Sequence, residues 1–130
     1  MSLKIQPDLR YAKTDEWVRV EGDEAVIGIS DYAQDALSDI VYVELPSAGD
    51  TFEAGKPFGV VESVKAASDM LMPVDGEVVA VNDSAVDSPE SLNNDPFGTW
   101  LVRVRMSEPS QVDGLMDAAA YEAYCATREH

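Results

Sequence analysis

The chain has 130 residues, of which 45% are hydrophobic and 26% charged, a composition typical of a globular protein that can bury its own core. Its formal net charge is −16, from 25 acidic and 9 basic residues spread along the whole chain. This charge favours a well-solvated surface or attraction to basic partner surfaces, and it argues against nucleic-acid binding because no basic stripe is present.

Cysteine content and hydropathy predict the compartment. The single cysteine, Cys125, cannot form an intramolecular disulfide, so the fold does not depend on an oxidising compartment. No stretch approaches the roughly 18 apolar residues of a membrane span, and no basic leader precedes an apolar run. We therefore expect a soluble, cytoplasmic protein with no membrane partner.

The first half of the chain predicts short strands around one helix. Residues 16–30 predict two strands joined by a turn at Glu21–Gly22–Asp23–Glu24, because β-branched residues alternate on both sides. The next segment, DYAQDAL, predicts a short helix capped by Ser30 or Asp31. Strand patterns then return, first up to Pro46 and later in the segment TFEAGKPFGVVESV, where Gly55 and Pro57 predict breaks.

The second half predicts two further strands and a helical C-terminus. A turn at Val74–Asp75–Gly76 leads into the strand EVVAVND; SPESLNNDP predicts a loop with one helical turn, and TWLVRVRMS predicts the last strand. Beyond Pro109 the composition predicts a short helix before Leu115–Met116 and a second helix over about 117–128. Short strands without a βαβ rhythm favour a mainly β barrel or sandwich with helices at its periphery.

Reactive constellations are nearly absent from the sequence. The sole histidine, His130, is the last residue, which removes Ser-His-Asp, Cys-His and ordinary zinc arrangements. There is no C-x-x-C and no glycine-rich phosphate loop, and with 25 acids no particular carboxylate pair stands out. The sequence therefore predicts no catalytic and no metal-binding residue.

One lysine, Lys65, stands between two valine-rich segments in GVVESVKAASDMLMPVDGEVV, residues 59–79. A lysine in a turn is usually only solvated. Here the next three residues are small and strand-forming segments lie on both sides, so we expect Lys65 at the tip of a rigid hairpin. Glu62 and Asp69 flank it and supply carboxylates for a partner or a cationic substrate. This placement suits a side chain that a second protein must reach and modify.

Several collinear motifs resemble one family. ESVKAASD followed by P-V-x-G-E-V-V resembles the lipoylation segment of glycine cleavage H proteins. EWVRVEG with IGISDYAQDALSDIVYVELPSAGD resembles the N-terminal half of that family, and DSPESLNNDPFGTWLVRVR with AAAYEAYCA resembles its C-terminal half. The resemblance covers residues 10–126 with nearly constant spacing.

This resemblance implies a single lipoyl-carrier domain over residues 1–130, built as a barrel-sandwich hybrid with short flanking helices and a C-terminal helix. Lys65 would carry lipoate in amide linkage, framed by its immediate neighbours Glu62, Ser63, Val64 and Ala66. The protein would be a non-catalytic carrier, since the chemistry belongs to the cofactor and the partner enzymes.

The partners implied by the resemblance are the components of the glycine cleavage system. A glycine decarboxylase would load an aminomethyl group, an aminomethyltransferase would take the methylene and release ammonia, and dihydrolipoamide dehydrogenase would reoxidise the dithiol. Lipoylating enzymes would attach the cofactor.

The resemblance also implies a cleft that shelters the loaded arm, with Thr14, Glu16 and Asp69 at the matching positions. A sheltered ammonium needs anionic partners, which Glu16 and Asp69 supply. The chain departs from the family pattern in two places: Asp15 stands where many members have histidine, and MLMP, residues 70–73, is unusually apolar. Both departures concern the cleft and leave Lys65 and its frame intact.

Three other functions remain open at the sequence level. The chain could donate lipoyl groups to other lipoyl-dependent complexes, and no motif separates this role from glycine cleavage. A biotin carrier is disfavoured because its lysine usually lies between methionines, whereas Lys65 lies between Val64 and Ala66. An unmodified interaction scaffold, with Lys65 merely exposed, is the third.

Overall fold

The computed structural model describes residues 4–128, and His130 lies outside this range. The strands are β1 (Arg10–Tyr11), β2 (Glu16–Glu21), β3 (Glu24–Ile29), β4 (Ile40–Glu44), β5 (Thr51–Phe52), β6 (Pro57–Ser63), β7 (Ala67–Leu71), β8 (Gly76–Val81) and β9 (Val102–Met106). The helices are α1 (Asp31–Leu37), α2 (Asp83–Asp87), α3 (Ser91–Asn94), a 3₁₀ helix (Pro109–Gly114) and α4 (Ala118–Ala126). The predicted mainly β fold with short flanking helices and a C-terminal helix is confirmed.

The strands form two antiparallel sheets that are not closed into a single barrel. One sheet has six strands in the order β1-β2-β3-β9-β8-β5, and the other has three in the order β4-β6-β7. The main core cluster takes side chains from both sheets, including Ile27 and Val104 from the first and Val43, Val61 and Met70 from the second. Burial of these apolar side chains between the layers is the main force that holds the sheets together.

A second apolar cluster attaches α4 to the first sheet. Trp17 and Tyr11 are fully buried there, and the ring of Tyr121 stacks on Tyr11 with centroids 4.3 Å apart. The Trp17 indole donates to the carbonyl oxygen of Pro96 over 3.0 Å, so its polar edge is satisfied. Gly28 faces Trp17, and a Cβ at this position would overlap the indole ring. This cluster fixes α4 close to the start of β2.

Helix caps follow the sequence closely. The Ser30 hydroxyl accepts from the Ala33 backbone N–H, and the Asp117 carboxylate accepts from that of Ala120, so each satisfies a free donor in the first turn of α1 or α4. The predicted helical turn within 88–96 is α3.

Three predictions of local structure need correction. Pro57 does not interrupt a strand but begins β6, a position where the missing N–H costs no ladder hydrogen bond. Asp83 begins α2 rather than ending a strand, because the Asn82 side chain accepts from the Ser84 N–H and caps a helix. The short helix before Leu115 is a 3₁₀ helix. In the described part of the chain, no helix is long and apolar enough to cross a bilayer.

Candidate functional site

Lys65 lies in the turn between β6 and β7, at the tip of a hairpin. The Ser63 hydroxyl accepts from the backbone N–H groups of Lys65, over 3.3 Å, and of Ala66, over 3.2 Å. The Ser63 N–H donates to the Ala66 carbonyl over 2.7 Å and closes the turn. The Val64 N–H donates to the carbonyl of Asp39 over 3.0 Å, which ties the tip to the segment before β4. Lys65 is therefore an exposed side chain on a turn held from two sides.

The remaining frame residues lie on either side of this lysine. Glu62 pairs in register with Tyr42 and Ala67, on the outer face of the three-stranded sheet. Val64 is 67% exposed, although an apolar side chain of this size is usually at least partly buried. The structure thus brings together all the residues that the sequence assigned to the lysine frame.

A cleft of about 180 Å³ runs beside β7. Because β7 is an edge strand, one side of its backbone is free to face the turn before β2. The opposite walls come from that turn, from the end of β3 and from α1. The lining residues are Thr14, Asp15, Glu16, Ile29, Ala33, Ala36, Leu37, Val61, Ser68, Asp69 and Met70. The three cleft residues assigned from the sequence, Thr14, Glu16 and Asp69, lie around this one cavity.

Glu16 is the chemically distinctive residue of the cleft. It is 2% exposed, its Oε2 accepts from the Leu71 backbone N–H over 3.1 Å, and its Oε1 accepts from the Thr14 hydroxyl. Burial raises the pKa of Glu16 to about 7; the hydrogen bonds from Thr14 and Leu71 oppose this shift, and the charge of Asp15 adds to it. The carboxyl therefore changes its protonation state near neutral pH, and a cation placed beside it would favour the ionised form.

A larger open hollow of about 430 Å³ lies elsewhere on the surface, beside Thr51, Glu53, Lys56 and Asp75. None of its lining carboxylates is fully buried, and Glu53 and Lys56 are exposed. The smaller cleft is the stronger functional candidate because it combines a buried ionisable group, an apolar wall and proximity to the Lys65 hairpin.

Sequence reasoning missed the α1 wall and the backbone donor of Leu71. Ala33, Ala36 and Leu37 follow the i, i+3, i+4 spacing of one helix face, which could have indicated a small apolar wall. The Leu71 N–H could not have been assigned, because it faces Glu16 only through the free edge of β7.

Comparisons with known proteins point to one family. The family model described as glycine cleavage H-protein matches residues 9–128. The glycine cleavage system H protein 1 of Caldanaerobacter subterraneus subsp. tengcongensis is 51% identical over 125 residues, which cover 96% of this chain and 100% of that protein. The H protein of Syntrophomonas wolfei is 54% identical over 123 residues, which are 95% of each chain.

A solved structure supports the fold as well. The crystal structure of a glycine cleavage system H protein from Mycobacterium marinum matches with a TM-score of 0.85 and 36% identity, covering 94% of this chain and 99% of that chain. Fold and family together define a non-catalytic carrier protein built as a mainly β domain. Within this class the chain belongs to the glycine cleavage H-protein family, and its role is that of the lipoyl-carrier shuttle of the glycine cleavage system.

Proposed function

We propose that Lys65 carries lipoate, joined through an amide bond to its ε-amine, and that the arm shuttles aminomethyl groups and reducing equivalents between enzymes. The observation that carries this proposal is the position of Lys65, exposed on a hairpin turn that Ser63 and Asp39 hold. A rigid base with a free tip lets several enzymes reach the same side chain.

The residues around Lys65 fit an attached arm. Ala66 and Ala67 present only methyl groups, so they leave space beside the lysine. Within residues 4–128, Lys65 forms no ion pair, so its amine is available for acylation. A bound lipoyl group would supply the sulfur atoms that hold the aminomethyl group; the protein supplies the mount and the cleft.

The cleft is suited to the amine end of the loaded arm. Lys65 and Asp69 are four residues apart, which even fully extended would be roughly 13 Å, and a lysine bearing a medium-length acyl chain spans that distance. Glu16 and Asp69 would hold a protonated amine, and the Thr14 hydroxyl would orient the Glu16 carboxylate. Ile29, Leu37 and Met70 would keep water away from the labile group. An ammonium beside Glu16 would lower its pKa and keep it ionised.

The partners follow from this cycle. Glycine decarboxylase would load the arm, aminomethyltransferase would unload it, dihydrolipoamide dehydrogenase would reoxidise the dithiol, and lipoylating enzymes would attach lipoate to Lys65. The net charge of −16 suits steering toward basic docking surfaces on these partners. A cytoplasmic location stays a prediction from the sequence.

Intact-mass measurement of Lys65→Arg tests the proposal. Arginine keeps the charge but cannot form the lipoyl amide. After exposure to active lipoylating enzymes, the wild-type chain should gain one lipoyl adduct and Lys65→Arg none, with glycine cleavage lost and the thermal midpoint nearly unchanged. Lys56→Arg, at another exposed lysine, is the matched control and should still be lipoylated. Wild-type protein without an adduct would refute the proposal, and an adduct of biotin mass would replace it with a biotin carrier.

A further inference from the structure

The C-terminal helix contacts the turn that carries the cleft residues. Arg128, just beyond α4, donates through Nη2 to Asp15 Oδ1 over 2.6 Å and through Nη1 to Asp15 Oδ2 over 3.2 Å. Its guanidinium lies 3.8 Å from the ring centroid of Tyr32 and 4.3 Å from that of Tyr124. A two-point contact with two aromatic rings close by orients the guanidinium far better than an ordinary surface ion pair does.

Asp15 occupies an unusual backbone conformation, and all its polar groups have partners. Its φ is +80°, in the left-handed region that non-glycine residues seldom adopt. Its N–H donates to the Ala12 carbonyl, its own carbonyl accepts from the Ser30 N–H, and Oδ1 also accepts from the Tyr121 hydroxyl over 2.7 Å. The neighbours of this residue in the chain, Thr14 and Glu16, both face the cleft.

The same contacts reach the opposite wall of the cleft. The hydroxyl groups of Ser30 and Tyr121 lie 2.6 Å apart, and Ser30 also caps α1. Asp15 and Tyr121 thus link the turn before β2, the start of α1 and α4 in one hydrogen-bonded network. Burial raises the pKa of Tyr121, and the Asp15 carboxylate adds to this shift, so the phenol stays a donor at neutral pH.

We propose that Arg128 and Tyr121 are positioning residues for the arm cleft, because they clasp Asp15 and so hold the left-handed turn that presents Thr14 and Glu16 to β7. This inference rests on the proposed function in one respect, the assumption that the cleft receives the lipoyl arm. The contacts of Arg128 and Tyr121 with Asp15 do not depend on lipoate. Their positioning role and the lipoylation of Lys65 can therefore be refuted separately.

Charge balance is a second consequence of the clasp. The carboxylates near Glu16 are Asp15 on its own turn and Asp69 on β7, while the α1 wall facing the cleft contributes Ala33, Ala36 and Leu37. Arg128 is the cation that neutralises Asp15. Without it, the free charge of Asp15 would disfavour ionisation of its neighbour Glu16.

The test uses unmodified protein and two local measurements. In Arg128→Met, which keeps an unbranched aliphatic side chain without the guanidinium, hydrogen exchange of the Leu71 amide should accelerate about tenfold, because its acceptor Glu16 is no longer held. The Met72 amide, bonded to the Lys56 carbonyl over 2.8 Å, is the internal control and should keep its protection. The pKa of the Glu16 carboxyl, followed by ¹³C NMR, should rise by about half a unit to one unit.

Matched variants distinguish the loss of the Arg128–Asp15 contact from a general loss of stability. Arg105→Met removes an exposed pair with Glu77, between strands β8 and β9, and should change neither measurement. Adding Asp15→Asn to Arg128→Met should return the Glu16 pKa to or below the wild-type value while Leu71 exchange stays fast. Arg128→Lys keeps the charge without the two-point contact, so it should leave the Glu16 pKa near the wild-type value while the Leu71 amide exchanges at an intermediate rate. If Arg128→Met does not fold, Arg128→Lys provides the test. Wild-type Leu71 exchange in Arg128→Met, or equal acceleration at Met72, would overturn the proposal.

Discussion

The cleft depends on one unusual residue, Glu16. Its carboxylate is buried, whereas the other described acidic side chains are at least partly solvated. Among residues 4–128, Glu16 is the one acidic side chain that is buried. Its two protein donors satisfy part of its hydrogen-bonding capacity, but they do not replace water fully, so its proton is held more tightly than in the unfolded chain. The stability of the protein therefore decreases as the Glu16 carboxylate ionises.

This cost predicts how stability varies with pH. The pKa of Glu16 is raised in the folded state, from 4.5 to about 7, so the folded state binds the extra proton and the free energy of unfolding falls as pH rises between these values. Between about pH 5.5 and 8 the loss from Glu16 should be on the order of 2 kcal/mol. Glu16→Gln should remove it. Urea unfolding across this range measures the slope. Glu62→Gln, at a carboxylate outside the cleft, is the control and should keep the wild-type slope; equal slopes in all three proteins would contradict the assignment of Glu16.

The hairpin that carries Lys65 depends on how closely its strands approach their neighbours. Gly59 in β6 has no room for a side chain, because a Cβ there would overlap the backbone carbonyl oxygen of Glu44 in β4 and crowd Met70. A bulge in the β6–β7 pairing lies next to this position. The glycine is therefore required by contact across the sheet rather than by a turn.

We accordingly expect Gly59→Ala to force β4 and β6 apart and to lower the free energy of unfolding by about 1–3 kcal/mol. Gly114→Ala is the matched control, since a Cβ at Gly114 meets nothing within 4 Å, and it should unfold at nearly the wild-type urea concentration. If lipoylation needs the rigid hairpin, Gly59→Ala should also be modified more slowly at equal protein concentration. Equal urea midpoints for the two variants would show that the strands adjust without loss.

At the scale of the whole molecule, charge is distributed unequally between the two sheets. Arginines on the six-stranded sheet pair with acids there: Arg103 contacts Glu21 and Glu24, and Arg105 contacts Glu77. On the outer face of the three-stranded sheet, Glu44 and Glu62 form no ion pair with any residue in 4–128. The surplus negative charge is therefore strong beside the Lys65 hairpin.

Partner association should weaken with salt as a result. The screening length falls from about 30 Å at 0.01 M to about 3 Å at 1 M ionic strength, so steering by this surface is lost across that range. Association rates with the lipoylating enzyme or the decarboxylase, measured against salt, should fall steadily. Arg105→Met, which adds net negative charge on the distant sheet, should change the rate less than Glu62→Gln, which removes charge beside Lys65. Association independent of salt would leave the net charge with a role in solubility alone.

The sequence was sufficient to predict the features that depend on local chemistry. Helix α1 and its Ser30 cap, the hairpin around Lys65, the strand-rich architecture and the family all follow from short stretches whose propensities and motifs agree with one another. The sequence was less informative where the local signal is weak. The two-residue strands β1 and β5 exist only because a partner strand pairs with them, and α2 depends on a single asparagine cap.

The cleft, in contrast, depends on contacts between distant parts of the chain. Glu16 is one acid among 25 in the sequence, and its raised pKa comes from burial beneath elements that lie far away in the chain. Asp15 and Arg128 are 113 residues apart, and neither signals the other, because charged residues at the surface have many equivalent partners. Their contact exists because Tyr11 and Trp17 dock α4 against the start of β2. Local sequence can therefore place the lysine proposed to carry the arm, whereas the cleft proposed to receive that arm requires the packed fold.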